Sequence, residues 1–399
     1  MRFLLPVVKL KSGRDKSIRR KHPWIFSGAI DSVKDIRFNG ETVDVISADG
    51  KHLGYGSFSN QSQISVRMLS FDPDEKPNEN FIVKNIKDAL RFRNTIIDQH
   101  STNAYRLINA ESDNLPGIIV DKYSDYLVCQ FLSAGAEYWK NTVVNSLTEL
   151  INPSGIYERS DVDVREKEGL QKIKGVLSGR HPDPLIEITE NNNKFFVDII
   201  NGHKTGFYLD QRENRKILSE FVKDKNILNC FSFTGAFSVY ALKSGAAKVT
   251  NVDSSEDLLR AAERNLIAND ITNSQFENVC DDVFKYLRKL RDTNQQFDLI
   301  ILDPPKFAES VSQVEKASRG YKDINLLAIK LLTQNGILFT FSCSGHITTE
   351  LFGKIISDAA LDSEKNVKTI KILTQSPDHA ILTSFPESLY LKGLICSVY

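Results

Sequence analysis

Apolar runs of about five residues alternate with amphipathic stretches along the second half of the chain. The runs are typical of buried strands, and the stretches have the spacing of helices. Strands are predicted at 194–199, 226–229, 248–252, 275–279, 297–301 and 336–341, and helices at 213–221, 235–244, 255–269, 282–291 and 321–333. This alternation predicts an α/β fold with a doubly wound parallel sheet, and a strand-rich segment over 373–399 at its edge.

The first half of the chain has a different pattern. Short strand-like runs alternate with turn signals up to residue 72, which indicates a small β-rich domain. A polar, proline-bearing linker follows, and then a mixture of helices and strands that indicates an α+β domain. We therefore predict three domains, over residues 1–72, 73–190 and 191–399.

Composition narrows the class of protein. The chain has 399 residues with 41% hydrophobic and 26% charged residues and a net charge of zero, which is ordinary for two or three globular domains. The apolar run over 1–6 is short for a signal peptide, and no run reaches the ~20 residues of a membrane helix, so we expect a cytoplasmic protein with no membrane partner. The five cysteines are scattered without metal-ligand spacing, so we expect mostly buried thiols, no disulfides and no metal.

A cluster of cations lies near the N-terminus and comprises Lys9, Lys11, Arg14, Lys16, Arg19, Arg20 and Lys21. Trp24 and Phe26 follow it closely. A solvated surface with both aromatic rings in the core would account for the run. Cations beside aromatic residues on a small β-rich domain instead favour a nucleic-acid surface, on which the cations bind phosphates.

Two strand ends carry reactive side chains. The strand at 297–301 runs into Leu302-Asp303-Pro304-Pro305-Lys306-Phe307, where the prolines end the strand because they have no N–H to donate. The strand at 336–341 runs into Ser342-Cys343-Ser344-Gly345. Ligands bind at the carboxyl ends of strands in open α/β sheets, so the two ends predict one site.

Three earlier strand ends outline a nucleoside site. The segment 229–237 contains a single glycine, Gly235, which permits close backbone approach but is a poor dinucleotide fingerprint. Asp253 stands where an acid holds ribose hydroxyls, and Asp282 is placed to accept from an adenine amino group. Each acid could instead cap the helix that follows it. Together with Asp303 the pattern is typical of an S-adenosylmethionine-dependent methyltransferase.

Five motifs in order carry a close resemblance over essentially the whole chain, at 19–28, 206–212, 230–235, 303–307 and 341–345. With them the chain resembles the ribosomal RNA large subunit methyltransferase I family, cytosine-C5 methyltransferases of bacterial 23S rRNA. The resemblance implies an N-terminal PUA domain, a central α+β domain and a C-terminal class I, Rossmann-like methyltransferase domain. It also implies S-adenosyl-L-methionine as cofactor, bound by Tyr208, Asp210, Gln211, Asn229, Phe231, Ser232, Thr234, Gly235, Asp253, Asp282, Asp303 and Pro304.

Cys343 suits the chemistry that this resemblance implies. Cytosine C5 becomes nucleophilic once a thiolate has added to C6, and cysteine provides that thiolate. Asp303 would then share a proton with N3 as general acid. Cys230 is the competing nucleophile, less favoured because it would lie under the cofactor.

The turn after Asp303 would contact the RNA through Lys306 and Phe307. Lys306 stands where two-cysteine enzymes carry their second cysteine, so the group that removes the C5 proton is not identified. Tyr208 and Phe307 are candidates to stack on the target base, although aromatic residues here are as often part of the core.

Two other functions remain open. A guanine or adenine nitrogen methyltransferase would use the same Asp-Pro-Pro turn without needing Cys343. A non-catalytic RNA-binding or ribosome assembly factor would retain the fold without transferring a methyl group. The sequence also leaves homodimer formation undecided.

Overall fold

The computed structural model describes residues 5–399. They form two compact units. The first unit comprises the described residues up to Ile188, together with Val197–Leu209 and Pro377–Ser388. The second comprises Thr189–Phe196, Asp210–Ser376 and Leu389–Tyr399. The three-domain division therefore remains a prediction, and its first four residues lie outside the described range.

A six-stranded sheet opens the first unit. Its elements are β1 (Val7–Leu10), α1 (Lys16–Arg19), β2 (Trp24–Phe26), β3 (Ile30–Lys34), β4 (Thr42–Ile46), β5 (His52–Phe58) and β6 (Ile64–Ser70). The strand order is β2-β6-β5-β4-β1-β3. Alternate residues are fully buried, as with Val8 and Leu10 of β1 and Val43 and Val45 of β4. The period-two pattern of the sequence therefore places one face of the sheet on a small core. The β-rich prediction is confirmed.

A second sheet in this unit has two long helices beside it. The elements are α2 (Glu79–Ile96), β7 (Ala104–Asn109), β8 (Ile118–Tyr123), β9 (Tyr126–Phe131), α3 (Ala134–Ile151), β10 (Gly155–Ser160) and β11 (Ile173–Gly179). The order is β11-β10-β9-β8-β7. Polar contacts join strands of the first sheet to turns between the elements of the second. The Trp24 indole donates to Glu111 at 2.9 Å, and the buried Arg67 donates to Glu168 at 2.8 Å. Losing one partner would leave a buried charge uncompensated, so these contacts fix the arrangement.

A short hairpin, β12 (Ile186–Glu190) with β13 (Asn193–Val197), precedes the large sheet of the second unit. The following elements are α4 (Arg212–Leu218), β14 (Asn226–Cys230), α5 (Ala236–Lys243), β15 (Lys248–Asp253), α6 (Glu256–Ile267), β16 (Phe276–Cys280), α7 (Val283–Asp292), β17 (Phe297–Leu302), α8 (Val314–Leu331), β18 (Leu332–Ser342), α9 (Thr349–Ser363), β19 (Val367–Leu373) and β20 (Lys392–Val398).

The large sheet has the order β16-β15-β14-β17-β18-β20-β19. The first five strands are parallel, and β20 lies antiparallel between β18 and β19. The order reverses direction beside β14, which makes the carboxyl ends of β14 and β17 the topological switch point where ligands bind in such sheets. The doubly wound α/β prediction with a paired C-terminal edge is confirmed.

The structure corrects the predicted elements at three points. The helix predicted at 321–333 begins earlier, at Val314, because its first turns expose polar side chains that hide the helical period. Helix α9 was missed although Phe352, Ile355, Ile356 and Ala359 are buried at helical spacing. The strand-rich prediction over 373–399 is wrong for residues 374–391, since β19 ends at Leu373 and β20 begins at Lys392.

None of the helices in the described part of the chain has the length and apolar character needed to cross a membrane.

Candidate active site

The register of the parallel strands brings the predicted site residues to one edge of the large sheet. Cys230 pairs with Val252 of β15 and with Leu302 of β17, and Leu302 pairs with Thr340 of β18. The residues that follow these positions therefore emerge side by side. They are Phe231, Asp253, Asp303 and, beyond the end of β18, Cys343.

The loop after β14 has an unusual backbone. Phe231, Phe233 and Gly235 have φ angles of 57°, 50° and 72°. Left-handed conformations at residues other than glycine cost about 1–3 kcal/mol each and cluster at ligand sites. At Gly235 a Cβ atom would lie 2.8 Å from the Cβ of Ala262, so the glycine permits the close contact between this loop and α6.

Asp253 holds this loop in place. Its carboxylate accepts the N–H of Phe233 at 3.0 Å and the N–H of Ser255 at 3.0 Å. Asp282 instead caps α7, where its carboxylate accepts the N–H of Lys285 at 3.0 Å. The helix-capping alternative is therefore the observed contact for Asp282, whereas Asp253 shapes the loop at the switch point.

Two hydroxyl groups in the same loop fit an absent polar ligand. The Oγ of Ser232 and the Oγ1 of Thr234 are buried and make no hydrogen bond to any residue from 5 to 399. Buried polar groups are rarely left without a hydrogen-bond partner. Two such hydroxyl groups in one strained loop are therefore a reason to expect a ligand that bonds to them. Asn229 is different, because its amide donates to the Ser238 hydroxyl at 2.9 Å inside the sheet.

The segment 206–211, which contains the predicted cofactor contacts Tyr208, Asp210 and Gln211, is divided between the two units. In the first unit, the Arg159 guanidinium donates to the carbonyls of Ile199 and Gly202 at 3.1 and 3.0 Å. Thr205 donates to Asp121 at 2.7 Å. These contacts fix the chain leading to Tyr208, whose ring has the Lys204 ammonium 5.1 Å from its centroid.

In the second unit, Asp210 and Gln211 belong to a hydrogen-bonded group. The Tyr390 hydroxyl donates to Asp210 at 2.7 Å. The Gln211 amide donates to the Asp303 carboxylate at 3.0 Å, and its oxygen accepts from Asn214 at 2.6 Å. Asn214 thereby orients the Gln211 side chain, whose amide holds Asp303. The contact between Gln211 and Asp303 was not predicted from the sequence.

Cys343 lies beside the Asp-Pro-Pro turn. Its sulfur is 4.0 Å from the carbonyl oxygen of Pro304, and the residue is half-buried. Cys230 is fully buried, and burial raises the pKa of its thiol well above the ordinary value. Cys129 is also fully buried, and burial raises the pKa of Cys396 to about 11. Cys343 is thus the accessible cysteine beside the Asp-Pro-Pro turn, whereas the exposed Cys280 ends β16. Cys129, Cys230 and Cys396 are buried, so the expectation of mostly buried thiols is confirmed.

Ser344 connects the end of β18 to the turn that follows β17. Its hydroxyl accepts the N–H groups of Phe307 and Ala308, both at 3.2 Å, and hydrogen-bonds the Tyr321 hydroxyl at 3.1 Å. The Phe307 ring lies 4.6 Å from that of Tyr321 and 6.0 Å from that of Phe284. These contacts favour the core alternative for Phe307 over base stacking. Lys306, next to it, is exposed.

Sequence reasoning missed Lys392. The side chain is 4% exposed, and its ammonium donates to the carbonyls of Ser344 and Tyr390, both at 2.7 Å. A lone lysine at the start of the apolar strand β20 was the available signal, because a buried lysine without a structural reason is rare.

Of the N-terminal cations, Lys9 lies in β1, and the others occupy α1 and its flanking turns. Lys11, Arg14, Lys16, Arg19, Arg20 and Lys21 are exposed, and Lys9 is half-buried. Arg19 pairs with Asp15 at 2.6 Å. Ile25 is buried, but the neighbouring Phe26 is 49% exposed, so this ring is outside the core and accessible beside the cations.

The strand order, the strained loop and the acids at the switch point define an S-adenosylmethionine-dependent methyltransferase. A family model for S-adenosylmethionine-dependent methyltransferases matches residues 172–361, and a model for PUA-like domains matches residues 8–71. A solved structure described as a SAM-dependent methyltransferase from Streptococcus mutans has a TM-score of 0.85, is 24% identical, and matches over 98% of this chain and 99% of that one. Another, with the same figures, is titled as a complex with SAH.

The chain belongs to the ribosomal RNA large subunit methyltransferase I family. The protein of that name from Vibrio cholerae is 50% identical over 397 residues, which is 99% of this chain and 100% of the relative. The one from Shewanella amazonensis is 48% identical over 392 residues, covering 98% and 99%. The resemblance stated from the motifs is confirmed, as are the PUA-like domain and S-adenosylmethionine as cofactor.

Asp253→Asn should weaken binding of S-adenosylhomocysteine about tenfold or more. The new amide presents N–H groups where the carboxylate accepts N–H groups from the loop and where the sequence predicts ribose hydroxyls. A hydrogen bond to a charged group contributes about 1.5–3 kcal/mol. Isothermal titration calorimetry measures the change. Asp298→Asn is the matched control, since that carboxylate accepts the Asn226 N–H at 2.9 Å at the opposite end of the same sheet. Equal loss in both variants would contradict a cofactor role.

Proposed function

We propose that the protein methylates C5 of a cytosine in large-subunit rRNA, with Cys343 as the nucleophile and Asp303 as the general acid. Large-subunit rRNA is the substrate class in the names of the full-length relatives. The observation that carries the C5 assignment is the position of Cys343, half-buried beside the Asp-Pro-Pro turn. Bound S-adenosylmethionine supplies the methyl group. The residues proposed to contact it are Tyr208, Asp210, Gln211, Asn229, Phe231, Ser232, Thr234, Gly235, Asp253, Asp282, Asp303 and Pro304.

In this mechanism the Cys343 thiolate forms a bond to C6 of the cytosine, and electron density moves to C5. Asp303, oriented by the Gln211 amide at 3.0 Å, shares a proton with N3 as this density develops. After C5 has gained the methyl group, its proton passes to water and the C6–S bond breaks to regenerate the thiolate. N3 returns the shared proton to Asp303. The base must leave its stack for C6 to reach the sulfur.

The N-terminal cations are proposed to bind the rRNA backbone. Lys and Arg neutralise phosphates without reading sequence, and the cations here are mostly exposed. The half-exposed Phe26 ring offers a surface for stacking on an unpaired base. Lys306, exposed on the turn after Asp303, is proposed to contact the RNA near the target base.

Cys343→Ala should reduce formation of 5-methylcytosine by roughly 10³-fold or more, because removing a covalent nucleophile removes the reaction path. Protein-free large-subunit rRNA is incubated with labelled S-adenosylmethionine and analysed by nucleoside mass spectrometry. Cys280→Ala, which removes an exposed thiol, is the control and should keep full activity. Methylated guanine or adenine with activity retained in Cys343→Ala would establish the nitrogen alternative, and no methylation by the unmodified protein would favour the assembly factor.

Reversing three N-terminal charges, Arg14→Glu, Lys16→Glu and Arg20→Glu together, should weaken rRNA binding and flatten its salt dependence. Each lost phosphate contact removes about 0.7–0.9 from the slope of log K against log salt concentration, so we expect a decrease of two to three. Filter binding at several salt concentrations measures the slope. The matched control reverses Lys289, Arg291 and Lys330, which are exposed in the last turns of α7 and α8. The same decrease in both variants would contradict a localised RNA surface.

A further inference from the structure

Lys392 is a buried cation whose environment has no obvious structural explanation. Its residue lies opposite Ser342 in the antiparallel pair of β18 and β20. From there the side chain reaches the carbonyl of Ser344, the residue after Cys343, at 2.7 Å. A second hydrogen bond to the Tyr390 carbonyl, also 2.7 Å, completes the anchoring. The ammonium is therefore held against the main chain of the residue that follows Cys343.

Burying the protonated ammonium of Lys392 costs free energy unless a negative charge lies nearby. No carboxylate among residues 5–399 forms an ion pair with it. The titratable groups that act on it are the Cys343 thiol, from the end of β18, and the Lys306 ammonium, from the turn after β17. The pKa of Lys392 is lowered to about 8. Burial is the largest cause, Cys343 opposes it by raising the pKa, and Lys306 contributes a smaller lowering.

Coupling between two titrating groups is reciprocal. If a Cys343 thiolate favours the protonated lysine, the protonated lysine favours the thiolate by the same free energy. An opposite charge within about 4–6 Å lowers the pKa of an acid by about 1–3 units. At neutral pH Lys392 keeps its proton, because its pKa is about 8, and the lysine is then a cation beside the thiol.

We propose that Lys392 is a positioning residue for the nucleophile: its ammonium, anchored on the Ser344 and Tyr390 carbonyls, stabilises the thiolate of Cys343 before substrate binds. The thiol proton passes to bulk water and the ammonium retains its own protons, so no other reactant is needed. This role rests on the proposed covalent function of Cys343 and explains why a lysine is buried at the end of β20.

The test measures the thiol directly. Alkylation of Cys343 by iodoacetamide is followed from pH 6 to 10 by peptide mass spectrometry, without RNA or S-adenosylmethionine, in a Cys280→Ser background that removes the exposed thiol. In the chain with Lys392 intact, we expect a midpoint below the ordinary thiol value of about 8.5. A midpoint at or above 8.5 would overturn the proposal without any lysine variant.

Lys392→Met should then slow alkylation at pH 7 about tenfold and raise the midpoint by about one unit, as expected for loss of one adjacent charge. Lys392→Arg, which keeps the charge, should stay within about threefold of the parent rate. Lys365→Met is the matched control, since Lys365 also donates to main-chain carbonyls, those of Ile329 and Leu332 at 3.0 and 2.7 Å, at the far end of β18. It should leave the alkylation profile unchanged.

An unchanged profile in Lys392→Met, or an equal slowing in Lys365→Met, would overturn the proposal. Circular dichroism of each variant establishes that it is folded, and the conservative Lys392→Arg variant supplies the comparison if Lys392→Met does not fold. Because alkylation requires neither RNA nor methyl transfer, failure here is distinct from failure of the C5 assignment. That assignment is tested separately by the nucleoside analysis of Cys343→Ala.

Discussion

The hydroxyl of Ser344 makes the hydrogen bonds on which the reactive edge of the large sheet depends. It accepts two consecutive N–H groups, from Phe307 and Ala308. These N–H groups follow the turn at Pro304-Pro305, and the serine hydroxyl is their hydrogen-bond acceptor. The Tyr321 hydroxyl completes the group from α8. Since β17 and β18 are adjacent and parallel, this clamp sets the separation between Asp303 and Cys343. The serine that follows the cysteine therefore has a structural role at this edge of the sheet.

A second constraint acts at the switch point, where the loop after β14 has left-handed residues at alternate positions. Asp253 holds the loop from the neighbouring strand by accepting the Phe233 N–H. The strain is thus offset by a charged hydrogen bond, and the loop presents backbone and hydroxyl groups in a fixed arrangement. Asn229, buried below the loop and bonded to Ser238, supports that arrangement from inside the sheet.

Much of this organisation was readable from the sequence because it depends on local chemistry. Apolar runs ending at acids or prolines identified the parallel strands and the edge at which Asp253, Asp303 and Cys343 meet. The helix-capping role of Asp282 and the packing of Phe307 depend on neighbours distant in sequence, which periodicity does not specify. Lys392 was missed for the same reason. It lies near Cys343 only because β20 pairs with β18, and the register of such a distant antiparallel strand is set by tertiary packing.

The central claim is that Cys343 forms a bond to the target cytosine. Large-subunit rRNA containing 5-fluorocytosine tests it most directly, because fluorine at C5 cannot leave as a proton does and the adduct is trapped after methyl transfer. This RNA is incubated with the protein and S-adenosylmethionine and should form a complex that resists denaturation. After digestion, mass spectrometry should find the added mass of the nucleotide on the peptide that contains Cys343. A complex mapping to Cys230, or methyl transfer to cytosine with no trapped complex, would contradict the account.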